Sequence, residues 1–422
     1  MNVFLDIVGC RLNQAEIERM AGQLRTGGHT IVGQVGDADL VIVNTCTVTG
    51  QAASDSRQKI RQAARAGVND IVVTGCWSTL QPAQAADLPG VVRVVPNESK
   101  DSLVADLLRS PEKSFDMEPV ARTPLPGLHR RTRAFIKTQD GCDNRCTFCI
   151  TTLARGESRS RSVADVVEDI HLALAGGAQE IVLTGVHLGA WGLDFGARLS
   201  DLVRRILLET DTHRLRLSSL EPWDLDENFF SLWSDPRLCP HLHLPLQSGS
   251  ASTLRRMLRK TTPDSFRDLV ASARRIIPGV AVTTDVITGF PGETDSEFEE
   301  SLDFIRKMDF AGGHVFTYSA RPGTAAARMK NQIPHDIRKQ RNHILRDVFS
   351  KTGDSYRRKF VGQTLKVLWE SVTEVSDAGW RLEGWTENYI RVSASAPEPR
   401  WNQINSVKLI ELSGDGMVGE IV

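Results

Sequence analysis

Three cysteines lie close together near the middle of the chain. Residues 141–149 read Gly-Cys-Asp-Asn-Arg-Cys-Thr-Phe-Cys, so Cys142, Cys146 and Cys149 follow a Cys-x3-Cys-x2-Cys spacing. This spacing brings three thiolates to one iron–sulfur cluster and supplies no fourth. A four-iron cube held by three thiolates keeps one iron open, and that iron can chelate a small molecule through an amine and a carboxylate. The loop therefore predicts a 4Fe-4S cluster that acts on a bound ligand.

Two other interpretations of this loop are weaker. A structural zinc site usually has a fourth Cys or His and pairs of the Cys-x2-4-Cys type, and no such residue closely follows Cys149. Chance clustering of buried thiols is disfavoured because the chain has 7 cysteines in 422 residues. The spacing resembles that of the radical SAM superfamily, which implies S-adenosylmethionine as the ligand. Phe148 would then be an aromatic wall beside this cofactor, although ordinary packing would explain it equally well.

Three short β-branched runs in the first third of the chain read as buried parallel strands. Each run ends in a cysteine, and these are Cys10, Cys46 and Cys76. Segments of helical composition at 14–27 and 52–66 lie between the runs, which predicts a parallel α/β sheet. Ligands gather at the carboxyl ends of the strands in such sheets, so the three thiolates would meet and hold a second cluster. Three unrelated buried thiols are the alternative.

Six strand-like runs alternate with amphipathic segments in the central part of the chain. The runs are 134–138, 180–184, 214–218, 241–246, 282–287 and 314–318. Six strand–helix units predict an incomplete (β/α)6 barrel, open on one side, with its site at the carboxyl ends of the strands. The small and polar residues at those ends suit a ligand with an amine, a carboxylate and an adenosine. We expect the cofactor to contact Gly185, Ser219, Glu221, Gln247 and Asp285.

Arginines crowd the segment that follows the cysteine loop. Arg155, Arg159 and Arg161 lie there within seven positions. Such runs often form only a solvated face, but these flank a predicted active site, where phosphate contacts would position a polynucleotide without reading its sequence. The formal net charge is -1, so nucleic acid would have to bind to local patches of this kind.

The last sixty residues change in pattern to short strands separated by Gly, Asn and Pro. They predict a small antiparallel β-barrel similar to an OB-fold, a shape that often holds RNA. Its four tryptophans could stack on bases, although core packing is the commoner fate. A Pro-rich linker is expected at residues 110–130. We therefore expect three domains, covering residues 1–120, 130–358 and 359–422.

Composition indicates an ordinary globular protein, with 41% hydrophobic and 24% charged residues. No stretch approaches the roughly 20 apolar residues needed to span a bilayer. An odd number of cysteines in a reducing compartment favours metal ligation or buried thiols over disulfides. We therefore expect a cytoplasmic protein that does not associate with membranes.

In this order, the three-cysteine sheet, the radical SAM domain and the small C-terminal barrel resemble the methylthiotransferase family, in which the C-terminal module is the TRAM domain. Residues 9–16 (Gly-Cys-Arg-Leu-Asn-Gln-Ala-Glu), 44–49 (Asn-Thr-Cys-Thr-Val-Thr) and 155–161 (Arg-Gly-Glu-Ser-Arg-Ser-Arg) are similar to the branch that acts on threonylcarbamoyladenosine in tRNA. The chain departs from the family after the third cluster cysteine, where Ile-Thr-Thr-Leu replaces Ile-Ile-Pro. This departure removes no ligand.

The resemblance implies two 4Fe-4S clusters and S-adenosylmethionine. Cys10, Cys46 and Cys76 would hold the auxiliary cluster, and the three cysteines of the central loop would hold the one that cleaves S-adenosylmethionine. The implied reaction inserts a methylthio group at C2 of N6-threonylcarbamoyladenosine at position 37 of tRNA. The implied partners are the tRNA anticodon stem-loop, an electron donor such as flavodoxin or ferredoxin, and a sulfur donor.

Other functions remain open from the sequence. Sister branches of the family act on isopentenyladenosine in tRNA or on an aspartate of ribosomal protein S12. A noncatalytic iron–sulfur sensor that binds RNA belongs to a different class and would form no 5'-deoxyadenosine under reducing conditions. A zinc-stabilised RNA-binding protein would contain zinc in place of iron.

Overall fold

The computed structural model describes residues 1–108, 132–376 and 379–422. The linker expected at 110–130, and with it the boundary between the first two expected domains, lies outside the described residues. In the part that is described, no helix is both long and apolar enough to cross a membrane.

The N-terminal part is a five-stranded parallel sheet with strand order β2-β1-β3-β4-β5. Its strands are β1 Asn2–Ile7, β2 Thr30–Ile31, β3 Leu40–Thr45, β4 Ile71–Gly75 and β5 Val91–Val95. Its helices are α1 Arg11–Thr26, α2 Gly50–Arg65, α3 Cys76–Leu80, α4 Pro82–Ala86 and α5 Leu103–Leu108. Every residue of β3 and β4 is buried, because helices cover both faces of the sheet and an unbroken apolar run is then required. The predicted parallel sheet is confirmed.

The central part contains two parallel three-stranded sheets, β10-β9-β6 and β11-β12-β13. Their strands are β6 Arg133–Lys137, β9 Glu180–Thr184, β10 Leu215–Leu217, β11 His241–His243, β12 Ala281–Thr288 and β13 Gly312–Thr317. A small separate ribbon pairs β7 Gln139–Asp140 with β8 Arg159–Ser160. One continuous apolar core extends behind both three-stranded sheets, so their six strands form the expected incomplete barrel.

Helices cover the outside of this partial barrel. They are α6 Thr151–Arg155, α7 Val163–Ala175, α8 Leu199–Glu209, α9 Glu227–Phe230, α10 Ala251–Arg256, α11 Pro263–Ile276, α12 Asp295–Met308 and α13 His335–Arg358. Several begin at capping residues, as α12 does at Thr294, whose hydroxyl accepts a hydrogen bond from the Glu297 amide while the Glu297 carboxylate reaches back to the Thr294 amide. Such reciprocal caps satisfy amides that have no partner within the helix.

The C-terminal part is a closed barrel with strand order β14-β15-β16-β18-β17. Its strands are β14 Thr364–Ser376, β15 Gly379–Thr386, β16 Arg391–Ala396, β17 Ile404–Ser413 and β18 Gly416–Ile421. Four pairings are antiparallel, and β16 pairs with β18 in parallel. The expected barrel is confirmed with this one difference, because a closed ring of five strands cannot reverse direction at every pairing.

The N-terminal sheet closes the open side of the partial barrel. Helix α1 packs against the edge strand β6. On the other edge, after β13, Arg321 donates to the Thr47 hydroxyl and the Gly50 amide donates to Ser319 Oγ over 3.4 Å. The segment that follows Cys46 therefore faces the carboxyl ends of the barrel strands.

Candidate active site

The central cysteine loop lies between β7 and α6 and is fixed to the barrel from both sides. The Cys142 amide donates to Gly156 O over 3.0 Å, and the Thr147 amide donates to Met257 O over 3.1 Å. Gly141 begins the loop with φ +72, and a Cβ at this position would lie 1.8 Å from Glu157 O. Only glycine fits this turn, so the position of the three thiols is set by backbone contacts.

Each sulfur of this loop has a hydrogen-bond donor beside it. The amides of Asn144 and Thr151 lie 3.4 Å from the sulfurs of Cys142 and Cys149. The Arg259 guanidinium lies 3.8 Å from Cys146 Sγ. Burial nevertheless raises the pKa of the Cys146 and Cys149 thiols above the ordinary range. At Cys146 and Cys149 the donors therefore do not outweigh burial, and the positive charge of bound metal would favour the thiolate form.

His187 lies beside Cys142 but is not a free ligand. Its Nε2 lies 2.6 Å from Asp224 Oδ2, and its Nδ1 lies 3.2 Å from the Asn144 side-chain amide. Burial alone would favour the neutral ring, but Asp224, with a contribution from Cys142, raises the pKa of His187 to about 10. We did not predict His187, Asp224 or Arg259 from the sequence, although His187 follows the predicted Gly185 by two positions.

The three N-terminal cysteines follow strands that end at the same level of the sheet. Ile7 of β1 pairs with Asn44 of β3, and Thr45 of β3 pairs with Gly75 of β4. Cys46 and Cys76 come directly after β3 and β4, and Cys10 comes three residues after the end of β1. The structure therefore brings together three thiols that are at least thirty residues apart in the chain.

Two glycines make this approach possible. Gly9 has φ +130, and a Cβ there would lie 2.9 Å from Cys46 Cβ. Gly75 has φ +101, and a Cβ there would lie 2.3 Å from Thr45 O. Burial raises the pKa of Cys46 to about 11, and the charges of Cys10 and Cys76 act in the same direction. Burial therefore disfavours the thiolate form of Cys46, and bound metal would favour it.

Neither cysteine set, among the described residues, is arranged to hold a single metal ion. Among the described residues, no three His, Cys, Asp or Glu side chains are close enough to hold one metal ion. A tetrahedral zinc site places its ligand sulfurs about 4 Å apart. Each thiolate of a four-iron cube binds a different iron and can be further from its neighbours.

A cavity of about 200 Å³ lies between the central cysteine loop and the segment that follows Cys46. It is bordered by Cys149 on one side and by Val48 and Thr49, which follow Cys46, on the other. Its remaining walls include Phe148, Gln247, Asp285, Ile287, Phe316 and Tyr318. The ring of Phe148 meets Phe290 edge-on, with ring centres 6.4 Å apart.

Three buried polar atoms on residues that line this cavity have no hydrogen-bond partner within the described structure. They are Gln247 Oε1, Asp285 Oδ1 and the Tyr318 hydroxyl. Gln247 also has φ +74, a backbone conformation that costs energy in any residue but glycine. Unpaired buried acceptors are expensive, and the amine and hydroxyl groups of S-adenosylmethionine would satisfy them. The residues present therefore fit this cofactor.

The other predicted pocket residues lie apart from this cavity. Gly185 packs against Gln139, where a Cβ would come within 2.9 Å of Oε1. Ser219 is half-buried. Glu221 binds Arg259 through both carboxylate oxygens, at 3.0 and 2.6 Å, and so reaches the cysteine loop only through that arginine.

The structure contradicts the expected RNA contact of Arg155. Its guanidinium is buried and donates to Glu16, Asp140 and Asn13 at 2.9, 2.9 and 2.6 Å. No surface remains for a phosphate, because these three groups occupy its donors. Arg161 is half-buried and pairs with Asp169. Arg159 is exposed, and its guanidinium donates to the backbone oxygens of Glu157 and Arg155 without a carboxylate partner among the described residues.

Arg155 instead belongs to a buried charged cluster that joins the two cysteine-bearing parts. The cluster consists of Glu16, Lys100, Lys137, Asp140 and Arg155. Burial opposes ionisation of Glu16, but its three cationic neighbours hold the pKa of this carboxyl well below its usual range. Beside the cluster, the Asn97 side-chain amide lies 3.6 Å from Cys76 Sγ and 2.7 Å from Ala154 O. This cluster therefore fixes one cysteine set relative to the other.

Comparisons with known proteins agree with this arrangement. Residues 2–96 match the family described as "Uncharacterized protein family UPF0004", and residues 136–305 match the radical SAM superfamily. The radical S-adenosylmethionine methyltransferase TsrM of Kitasatospora setae has a similar fold, with a TM-score of 0.56 at 18% identity over 77% of each chain. At that identity the likeness shows the fold alone.

Curated relatives cover nearly the whole chain. The threonylcarbamoyladenosine tRNA methylthiotransferase MtaB of Bacillus subtilis is 34% identical over 96% of this chain and 92% of its own. The protein of the same name from Thermotoga maritima is 35% identical over 99% and 96%. The tRNA-2-methylthio-N(6)-dimethylallyladenosine synthase of Novosphingobium aromaticivorans is 35% identical over 86% and 85%.

Proposed function

Because the chain belongs to the radical SAM tRNA methylthiotransferase family, we propose that it inserts a methylthio group at C2 of N6-threonylcarbamoyladenosine at position 37 of tRNA. The observation that carries this proposal is the match of relatives named for that reaction along almost the entire chain. Two three-cysteine sets support it, as does the cavity between the central cysteine loop and the segment that follows Cys46. The enzyme uses S-adenosylmethionine and two 4Fe-4S clusters.

The cluster ligands follow from the two cysteine sets. Cys142, Cys146 and Cys149 would hold the central cluster, and Cys10, Cys46 and Cys76 would hold the auxiliary cluster. When bound, these groups and S-adenosylmethionine supply the one-electron chemistry and the sulfur needed to replace hydrogen on an unactivated ring carbon.

The chain's own residues would bind S-adenosylmethionine, exclude water from it and position the two cysteine sets. Gln247 and Asp285 would accept hydrogen bonds from S-adenosylmethionine, and Phe148 would cover it and keep water away. Gly185, Ser219 and Glu221 would act around this site, Glu221 through its bidentate contact with Arg259. The buried charged cluster around Glu16 would hold the two cysteine sets at a fixed separation, which is the positioning that a two-centre reaction requires.

Substrate binding would use the surfaces around the cavity. Position 37 lies in a single-stranded loop, whose base can be turned into a pocket at lower cost than a base in a duplex. We propose that Arg159, with a smaller contribution from Arg161, contacts the RNA backbone. The C-terminal barrel, as a TRAM domain covering residues 359–422, would hold the anticodon stem-loop next to residues 130–358 and 1–120. An electron donor such as flavodoxin or ferredoxin would supply electrons, a sulfur donor would supply sulfur, and the reaction would occur in the cytoplasm.

Nucleoside analysis after an anaerobic reaction tests the proposal. Reconstituted protein, S-adenosylmethionine and a reductant are incubated with tRNA that carries either threonylcarbamoyladenosine or isopentenyladenosine, and the digested nucleosides are measured by mass spectrometry. We expect the 2-methylthio product only from the threonylcarbamoyl substrate. Product from the isopentenyl substrate alone would assign the chain to the reaction named for its Novosphingobium relative. Absence of both products together with absence of 5'-deoxyadenosine would support a noncatalytic role.

A further inference from the structure

A second cleft, of about 470 Å³, opens where the three parts of the chain meet. Cys10 and Arg11 border it from the N-terminal sheet, Arg133 from β6, and Glu370, Glu383 and Arg391 from the C-terminal barrel. Cys10 is exposed, whereas Cys46 and Cys76 are buried. A group bound in this cleft would therefore lie beside Cys10.

Two of the three arginines in the cleft are already neutralised. Arg133 donates to Glu370 over 3.2 Å. Arg391 binds Glu383 at 2.7 Å and Asp415 at 3.2 Å. These guanidiniums have carboxylate partners, so they add little net attraction for an anion.

Arg11 is different, because no described carboxylate pairs with it. Its Nη2 donates to the Tyr389 hydroxyl over 3.0 Å, and its guanidinium carbon lies 5.8 Å from the centre of that ring. Helix α1 starts at Arg11 without an acidic residue in its first turn. One side of the guanidinium is therefore held by a neutral phenol, and its positive charge is uncompensated.

Tyr389 holds Arg11 rigidly. Its ring stacks between His241 and Trp385, with ring centres 4.5 and 4.6 Å away. Burial would raise the pKa of the phenol, but the charges of Arg11 and its neighbouring arginines hold that pKa below the ordinary value. The stacked ring and its hydroxyl thus fix the Arg11 guanidinium in place at this end of the cleft.

We propose that Arg11 binds the carboxylate of the threonylcarbamoyl group and thereby selects the nucleoside that is modified. This inference rests on the proposed function. The threonylcarbamoyl substituent ends in a carboxylate, whereas an isopentenyl group is uncharged, and a planar guanidinium binds a carboxylate through two parallel hydrogen bonds. Arg11 is the chain neighbour of Cys10, so charge recognition would occur next to the N-terminal cysteine set. An RNA phosphate is the other anion that this arginine could meet.

Two RNAs that differ only in charge at the threonyl group distinguish these cases. One is an anticodon stem-loop with threonylcarbamoyladenosine, and the other is the same RNA with the threonyl carboxylate converted to a carboxamide. Reconstituted protein is titrated with each RNA by fluorescence anisotropy, and kcat/KM for methylthio product is measured by mass spectrometry. We expect the wild-type protein to prefer the carboxylate RNA by roughly tenfold to a hundredfold, the usual range for a charge-assisted pair.

Three variants complete the test. In Arg11→Gln the ratio of affinities for the carboxylate and carboxamide RNAs should be close to one. Arg11→Lys should retain part of the preference because it keeps the charge but loses the planar guanidinium. Arg391→Gln removes the same charge from the same cleft at a neutralised position, so the preference should stay at the wild-type value. Iron content and thermal unfolding of each variant show whether the fold and the cysteine set at Cys10 are intact.

Specific results would overturn the inference. Equal weakening of both RNAs in Arg11→Gln would make Arg11 a phosphate contact, and an unchanged preference would remove it from recognition. The binding measurement is informative even without turnover. Absence of methylthio product from the wild-type protein contradicts the proposed function, whereas absence of a binding preference contradicts only the role of Arg11.

Discussion

Removing the charge of Glu16 should preserve cleavage of S-adenosylmethionine but impair methylthio transfer. Glu16 is 3% exposed and lies 2.8 Å from Lys100 Nζ, 2.9 Å from Arg155 Nη1 and 3.4 Å from Lys137 Nζ. Two of these partners, Lys137 and Arg155, belong to the central part of the chain. At an effective dielectric constant of about 20, each contact near 3 Å is worth on the order of 5 kcal/mol before the cost of dehydration is subtracted.

The net cost of Glu16→Gln is smaller than the sum of these attractions. Dehydration offsets most of the gain in the wild-type protein, and removal of one partner of a buried ion pair typically costs about 3–5 kcal/mol. Burial already lowers the pKa of Lys100 despite the attraction of Glu16. Loss of the Glu16 charge should lower the pKa of Lys100 further and so reduce the cost of burying this side chain, which limits the loss to this range.

The assay compares two products of one reaction mixture. In Glu16→Gln the central cysteine loop keeps its own backbone contacts, so 5'-deoxyadenosine should still form. Methylthio product should fall much further, because the two cysteine sets lose their fixed separation. Denaturant unfolding should show the N-terminal part melting earlier, and Glu98→Gln, at an exposed position, is the matched control. The role of this cluster would be refuted if Glu16→Gln unfolded like the wild type and formed methylthio product and 5'-deoxyadenosine in the wild-type ratio.

Three further predictions concern the cysteine sets and acid stability. Gly75→Ala should lower the iron content from about eight toward about four atoms per chain, because the new Cβ would lie 2.3 Å from a backbone oxygen of β3. Gly67→Ala is the control: Gly67 also has a positive φ but no close contacts, so this variant should keep its iron. Cys142→Ala should abolish both S-adenosylmethionine cleavage and modification, whereas Cys10→Ala should retain some cleavage and transfer no methylthio group; full modification by Cys10→Ala protein would exclude its cluster from the mechanism. Burial opposes ionisation of Glu180, but its buried partner Arg216 lowers the pKa of this carboxyl to about 2 from an ordinary 4.5. The ionised carboxylate therefore contributes about 3 kcal/mol of stability above pH 4.5, and this contribution should disappear as the pH falls toward 2. Denaturant unfolding should then show the difference between wild type and Glu180→Gln shrinking between pH 5 and pH 3, and a constant difference would contradict this assignment.

Local sequence was sufficient for the parts of the site that a few residues define. The spacing of Cys142, Cys146 and Cys149 limits their separation whatever surrounds them, so the loop could be recognised directly. Buried parallel strands were equally visible, because burial on both faces requires unbroken apolar runs such as that of β3. The parallel-sheet rule then extended the prediction to Cys10, Cys46 and Cys76, which follow neighbouring strands.

Side chains with several possible roles could not be assigned in this way. Arg155 belongs to an arginine-rich segment that looks like an RNA-binding surface, yet it is buried against Glu16. Nothing local to Glu16, on a helix with polar neighbours, marks it as the partner of cations that lie 84 to 139 residues further along the chain. His187 and Arg259 near the cysteine loop were missed for the same reason.

The sequence by itself determined the two cysteine sets, the order of the three folded parts and the chemistry that three thiolates per cluster allow. These depend on ligand spacing and on hydrophobic periodicity, which are properties of short segments. Only the tertiary structure decided which arginines are buried, how the N-terminal sheet closes the open barrel, and that Arg11 faces a cleft without a carboxylate partner among the described residues. The free energy of a charged side chain depends on its distance from other charges and from water, and the folded arrangement of distant segments sets both distances.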